Sequence, residues 1–119
     1  MTVLLILQDE ILSMKLFEIL VPTVSNDGRP FRTKHHKVWD SKVLRITNGM
    51  TILKPTTKGV WKCAKGNEYV ERTIPVRIIC SDKEIEEIAD WTAKHYKQLA
   101  VMYYCVSENV VIKNYQGDK

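Results

Sequence analysis

One amphipathic helix over residues 81–99 constrains the fold of this chain more than any other feature. Its start, Ser81-Asp82-Lys83-Glu84, fits the capping box, in which the Ser and Glu side chains each bind an otherwise unpaired backbone N–H of the first turn. Small and apolar side chains recur at helical spacing along one face: Ile85, Ile88, Ala89, Thr92, Tyr96 and Leu99. Such a stripe must be buried against another element, so the helix requires a packing partner from the rest of the chain.

Six strands are predicted around this helix. They are short runs of apolar or β-favouring residues bounded by turn residues: Lys15–Val21, Met50–Lys54, Gly59–Cys63, Tyr69–Cys80, Ala100–Val106 and Val110–Lys113. Pro75 has no N–H to donate, so its long strand is expected to lie at a sheet edge or to carry a bulge there.

A further helix is predicted over about Lys34–Thr47. Thr33 is expected as its N-cap and Asn48-Gly49 as its left-handed end. Trp39, Val43 and Ile46 follow one another at helical spacing, which predicts the face that packs on the sheet.

The order strand, helix, three strands, helix, two strands is typical of an α+β fold. It predicts a ferredoxin-like antiparallel sheet with two helices on one face and an extra β-hairpin. Residues 14–115 are assigned to this single domain and residues 116–119 to a frayed tail. Residues 1–13 form an N-terminal extension for which two explanations remain open. Either they come from an upstream start codon and the domain begins at Met14, or they are an extra element that docks on the sheet or on a neighbouring chain.

Short motifs in this order resemble a family of small ferredoxin-like proteins of unknown function. The motifs are Gly49-Met50-Thr51-Ile52-Leu53, Gly59-Val60-Trp61, Gly66, Glu71-Arg72 and the helix that ends in Tyr96-Lys97. The likeness covers about residues 15–113. It implies the same fold and, because the family has no assigned activity, it implies no reaction or ligand.

Charge and cysteine content narrow the class of partner. A net charge of +4 and a pI of about 9.0 are mildly basic, which suits an anionic small molecule better than a nucleic acid. Three widely spaced cysteines without a CxxC motif predict buried thiols in a reducing compartment, hence a cytoplasmic protein. The apolar run Val3–Leu7 is too short to span a membrane, and no membrane partner is expected.

The candidate site is the basic run that leads into the first helix. Arginine and lysine side chains gather with two histidines at a helix start, where backbone N–H groups point outward, and this combination favours anions. The predicted ligand-binding residues are Arg29, Arg32, Lys34, His35, His36 and Lys37. The alternative interpretation of the run is a solvated surface loop whose histidines cover the edge of the core.

Histidine chemistry at this helix supplies a second hypothesis. His36 and Asp40 stand four residues apart, a spacing that lets a carboxylate orient an imidazole for acid–base catalysis, with His35 as the alternative imidazole. No nucleophile motif accompanies them, and the spacing of the histidines and cysteines indicates neither a metal site nor a cofactor.

A homo-oligomer is expected because the strand over 100–106 is apolar on both faces. A second copy or the N-terminal segment would cover the helix-free face of the sheet. Interface positions are predicted at Trp91, His95 and Tyr103.

The favoured function is that of a non-enzymatic binding protein for a phosphate- or nucleotide-like ligand, by analogy a phage-type protein that sequesters a host nucleotide signal. A His-dependent enzyme acting on a phosphorylated or carboxylated small molecule is the alternative. A nucleic-acid-binding module with Trp61, Tyr69 and Tyr103 as stacking residues is the second alternative.

Overall fold

The computed structural model describes residues 14–47, 49–53, 57–62, 64–113 and 115, and for residues 57–59, 61 and 68–71 it describes the backbone. The elements are β1 (Lys15–Pro22), α1 (Thr33–Ile46), β2 (Thr51–Ile52), β3 (Thr57–Lys62), β4 (Glu68–Cys80), α2 (Asp82–Tyr96) and β5 (Tyr103–Ser107). The expectations for residues 1–13 and 116–119 lie outside the described residues.

The five strands form one antiparallel sheet. β4 lies beside β1 over eight residue pairs, from Lys15 opposite Cys80 to Pro22 opposite Thr73, and β5 lies on the other side of β1. β2 and β3 follow one another along the free side of β4, and β3 forms a hairpin with the first half of β4. The predicted ferredoxin-like α+β fold is confirmed.

The core lies between the two helices and one face of the sheet. Side chains alternate along a strand, so Phe17, Ile19 and Val21 of β1 point to the same face and are buried there. The other core residues come from β4 and both helices: Trp39, Val43, Val76, Ile78, Cys80, Ile85, Ile88 and Tyr96. This burial confirms the predicted face of α1 and that of α2 from Ile85 to Tyr96, and Ile46 packs at the margin of the core.

Pro75 does not lie at an edge, because β4 has neighbours on both sides. Leu20 of β1 faces it on one side, and on the other side Ile52 of β2 faces the next residue, Val76. The proline carbonyl still accepts a hydrogen bond from the Leu53 N–H at 2.9 Å. The register of the β1–β4 pairing runs through Pro75 without a shift, so the predicted bulge is not found in this pairing.

The ends of both helices depart in part from the sequence prediction. α1 begins at Thr33 itself, so the prediction of Thr33 as N-cap is wrong and Arg32 holds that position. At its other end the C-cap is Thr47 in extended backbone, and Asn48 lies outside the described residues. The capping box of α2 is confirmed, but its apolar stripe stops at Tyr96, because Lys97 adopts the left-handed conformation and Leu99 is fully exposed.

The C-terminal segment differs as well. Residues 110–113 form no strand, and the predicted strand Val110–Lys113 is wrong. Val111 is 88% exposed, so its apolar side chain has no surface that would hold the segment on the sheet. Of the cysteines, Cys80 is buried as predicted and Cys105 is exposed, contrary to the prediction, while Cys63 lies outside the described residues.

No helix within the described ranges is long and apolar enough to cross a membrane.

Candidate functional site

A closed turn between β1 and α1 presents the first arginine of the candidate site. The Ser25 N–H donates to the Arg29 carbonyl at 2.7 Å and the Gly28 N–H to the Ser25 carbonyl at 2.9 Å. Gly28 has a φ of 84°, a conformation that a side chain would strain. Val24 and Pro30 form a β-bridge just outside the turn. The turn is thus fixed by its own backbone, and the Arg29 side chain extends from it, 86% exposed.

The start of α1 carries an uncompensated positive end. Arg32 is extended, and within the described part of the chain no side chain accepts a hydrogen bond from the first N–H groups of the helix. Its first turn contains no acidic residue. The partial positive charge of the helix dipole at this end is therefore left for another anion.

A groove of about 740 Å³ runs between this loop, the start of α1 and the end of α2. Its lining is Ser25, Asn26, Asp27, Arg29, Pro30, Phe31, Arg32, Lys34, His35, Val38, His95, Tyr96 and Lys97. Four of these side chains are cationic and one is a carboxylate, that of Asp27, which binds the Ser25 hydroxyl and lies 3.7 Å from Arg29 Nε. The groove is therefore electropositive.

The groove contains Arg29, Arg32, Lys34 and His35 of the predicted ligand-binding set. His36 and Lys37 lie outside its lining, so the structure does not bring all six residues to one surface. The end of α2 adds His95 and Lys97, about 60 residues further along the chain. Lys97 reaches the site because the left-handed C-cap turns the chain there, and its carbonyl accepts a hydrogen bond from the Asn26 side chain at 2.9 Å.

Two histidines join the helices at the groove in a reciprocal arrangement. His35 Nε2 donates to the His95 carbonyl at 2.9 Å, and His95 Nε2 donates to the His35 carbonyl at 2.7 Å. Because a carbonyl can only accept, both Nε2 atoms carry a hydrogen. The two rings stack with centroids 3.8 Å apart and planes inclined by 13°.

The stacked histidines are the centre of a longer aromatic series. Phe31 stacks on His35 with centroids 5.0 Å apart, and Trp91 stacks on His95 at 4.7 Å. Lys42 Nζ lies 5.9 Å from the centre of the Trp91 ring, at the far end of the series. Phe31 is at the end that lines the groove, so the groove has an aromatic wall beside its cationic groups.

His36 belongs to a neighbouring, more enclosed cluster. Its Nδ1 lies 2.7 Å from the hydroxyl of Tyr96, which is buried. Burial, reinforced by the two other histidines, lowers the pKa of the His36 imidazole. Burial also raises the pKa of the Tyr96 hydroxyl and that of the Asp40 carboxyl. The hydrogen-bond partner of His36 is thus Tyr96, whereas the acid–base hypothesis expects Asp40 in that role.

The predicted interface residues fall at two separate places. Trp91 and His95 lie in the aromatic series between the helices. Tyr103 lies edge-to-face against Phe17, on the helix-covered side of β5. Their role in an interface remains a prediction.

The helix-free face carries a polar cluster at its middle. Arg77 Nε donates to the Glu18 carboxylate at 3.0 Å, and the Tyr104 hydroxyl donates to its other oxygen. These contacts, the tyrosine first, lower the pKa of the Glu18 carboxyl. Around the cluster lie apolar side chains of the same face: Leu16, Leu20, Ile79, Met102 and Val106.

Metal binding finds no support among the described residues, where no three His, Cys, Asp or Glu side chains come together as a ligand set.

Comparisons with known proteins identify the fold and no family. No protein-family model matches the sequence, and no curated protein matches it at a significant level. Among solved structures, the divalent cation tolerance protein CutA1 from Thermus thermophilus is similar with a TM-score of 0.58 at 8% identity, over 85% of this chain and 87% of that one.

Two further solved structures are similar to the same extent. A phage SAM lyase in complex with S-methyl-5'-thioadenosine has a TM-score of 0.58 at 14% identity, over 87% of this chain and 88% of that one. CutA1 from Oryza sativa has a TM-score of 0.57 at 9% identity, over 85% and 83%. At such low identity these likenesses establish the ferredoxin-like fold alone.

Proposed function

We propose that the protein binds a small anionic ligand of phosphate or nucleotide type in the groove between the Arg29–His35 segment and the end of α2. The observation that supports this most is the convergence of cations on an uncapped helix start. Arg29, Arg32, Lys34 and Lys97 line one groove together with the first turn of α1, and Asp27 is the single carboxylate of the lining. Helix N–H groups and guanidinium groups are the standard donors to phosphate oxygens.

The aromatic wall favours a ligand that also has a flat ring. Phe31 lines the groove beside the cations, and a planar base gains stacking energy on such a side chain. His35 and Tyr96 back the wall without offering a free ring face, because His35 is stacked between Phe31 and His95 and Tyr96 is 1% exposed. The phage SAM lyase of similar fold is solved with a nucleoside, S-methyl-5'-thioadenosine, which supports the same class of ligand here. A nucleotide would place its phosphates near Arg32 and its base near Phe31.

Titration calorimetry with inorganic phosphate and with ATP tests this function. Arg32→Ala removes a lining guanidinium and leaves intact the Arg32 carbonyl, which accepts the first backbone hydrogen bonds of α1. We expect it to weaken ATP binding by about tenfold or more, the loss typical of one charge-assisted contact.

Arg45→Ala is the matched control, because Arg45 is an exposed arginine in the last turn of the same helix. The Arg45→Ala variant should bind ATP with the same affinity as the wild type. Equal affinities in all three proteins, or no binding of either probe, would reject the groove as the site.

We also propose that a second copy of the chain covers the helix-free face of the sheet. Met102 is 62% exposed on this face and Val106 is 40% exposed, while the central Glu18 already has both of its partners within the chain. Among the described residues this face is largely apolar, and the Arg77–Glu18 pair neutralises charge at its middle, which suits self-association. Light scattering should report a smaller assembly for Met102→Lys than for the wild type. The control Leu44→Lys, on an exposed position of α1, should leave the assembly unchanged, and a monomeric wild type would refute the idea.

A further inference from the structure

The groove contains a pair of groups that can change charge near neutral pH. His35 and His95 both line it, and imidazole is the side chain whose ordinary titration falls in this range. Both Nε2 atoms are engaged as donors to backbone carbonyls, as the reciprocal bonds require. Each neutral ring therefore has one nitrogen left that can take a proton, its Nδ1.

A proton on either ring leaves both hydrogen bonds in place, because Nε2 keeps its hydrogen. Protonation therefore adds a positive charge to the groove without undoing the contact between the helices. A proton on both rings places two charges on stacked rings whose centroids are 3.8 Å apart, which is opposed by their repulsion. The arrangement accommodates one added proton and disfavours a second.

The surrounding charges decide when that proton is taken up. Those that line the groove are Asp27, Arg29 and Arg32 from the loop, Lys34 from α1 and Lys97 after α2. The other titratable groups nearby are His36, Asp40 and Lys42 on α1 and Lys94 and Tyr96 on α2. Cations outnumber carboxylates in this set. A dianion bound beside the pair adds negative charge there, and its attraction favours the ring that carries an extra proton.

We propose that anion binding in this groove is coupled to the uptake of one proton by the stacked His35–His95 pair. This rests on the proposed function, since it assigns a regulation to the same groove. The coupling makes the site a proton-linked anion receptor, which binds a dianion more tightly as the pH falls towards 6. By linkage, the dianion raises the protonated fraction of the pair to the same degree.

Sulfate is the probe that separates protonation of the histidines from protonation of the ligand. Unlike phosphate, it remains a dianion across the range in which histidine titrates. Its affinity for the full chain is measured by calorimetry at pH 5.5, 6.5 and 8, each time in two buffers of different ionisation enthalpy. We expect an affinity about tenfold higher at pH 5.5 than at pH 8, within the usual range of coupling between linked sites. At pH 6.5 we expect net uptake of up to one proton for each sulfate bound.

Two variants locate the proton. The double variant His35→Gln and His95→Gln should bind sulfate with the same affinity at every pH, because glutamine does not titrate. His36→Gln should keep the proton uptake, since His36 lies outside the groove. Should the double variant not fold, proton uptake that persists in His36→Gln still assigns the proton to the pair, because the chain has three histidines.

The outcomes separate the coupling from the proposed function. Sulfate binding with constant affinity and no proton uptake would overturn the coupling and leave the anion site standing. Proton uptake that survives in the double variant, or is lost in His36→Gln, would also overturn it. No sulfate binding at any pH would overturn both.

Discussion

Replacing Thr92 with valine tests the contact that sets the two helices at their distance. Thr92 is fully buried and its hydroxyl accepts the Trp39 Nε1–H at 2.9 Å, while it donates to the Ile88 carbonyl at 2.6 Å. Trp39 is 1% exposed, so water cannot replace the lost acceptor. These helices carry His35 and His95, so the same contact supports the groove.

The expected loss in the free energy of unfolding comes from the Trp39 indole N–H, which keeps its place but loses its acceptor. Valine keeps nearly the shape of threonine and creates no cavity, but it leaves a buried indole N–H without a partner, which costs about 1–3 kcal/mol. The added methyl recovers up to about 0.8 kcal/mol. With the full methyl recovery, the net loss in the free energy of unfolding is therefore between about 0.2 and about 2.2 kcal/mol. Each kcal/mol corresponds to roughly 4 °C in Tm in a domain of this size.

Urea unfolding followed by circular dichroism measures this loss, and a double-mutant cycle assigns it to the bond. In a Trp39→Phe background no N–H remains to be orphaned, so Thr92→Val should cost close to nothing there. An equal loss in both backgrounds would show that the Trp39–Thr92 bond does not carry the effect, and would refute the reasoning.

Three further perturbations have expected results. Ser81→Ala removes the capping-box acceptor of α2 and should lower the free energy of unfolding by about 1 kcal/mol. Thr33→Ala is the control, because this helix start has no side-chain cap, and it should lower the free energy of unfolding by less than half as much. Equal losses in the two variants would contradict the assigned caps. The Glu18 pKa is lowered from 4.5 in the folded state, so the stability that Glu18 contributes is complete above that value and is lost as the pH falls through the folded pKa. Glu18→Gln should flatten this acid dependence in urea unfolding series, and an unchanged profile would argue against the cluster. Burial raises the pKa of the Cys80 thiol to about 12, whereas Cys105 is exposed. Iodoacetamide should therefore label Cys105 in the native protein and Cys80 only after unfolding, which peptide mass spectrometry measures. Labelling of Cys80 in the native protein would contradict its burial.

The fold was predictable from the sequence because its signals are local and consistent. The capping box at Ser81 and the apolar stripe of α2 depend on spacing within one helix, and both are found. The alternation that buries Ile19 depends only on the strand period. The errors occur where tertiary contacts decide, as at Val111, whose apolar character predicts a strand although its side chain is 88% exposed.

One half of the candidate site was predictable from the sequence. The basic residues from Arg29 to His35 lie within one short stretch of the sequence, so their grouping at a helix start could be inferred directly. The contribution of His95 and Lys97 could not, because it arises from the packing of α2 against α1 and from the left-handed turn at the helix end. The separation of His36 from the groove likewise follows from Tyr96, a residue 60 positions away.

Binding of an anion in the groove beside α1 can be observed by following backbone amide signals of the labelled protein during a phosphate titration. Saturable shifts are expected for residues 29–35 and 95–97, and small shifts for the amides of residues 76–80, at the end of β4 that leads into the start of α2. Signals that do not move up to millimolar phosphate, or that move mainly outside these two segments, would contradict anion binding in the groove.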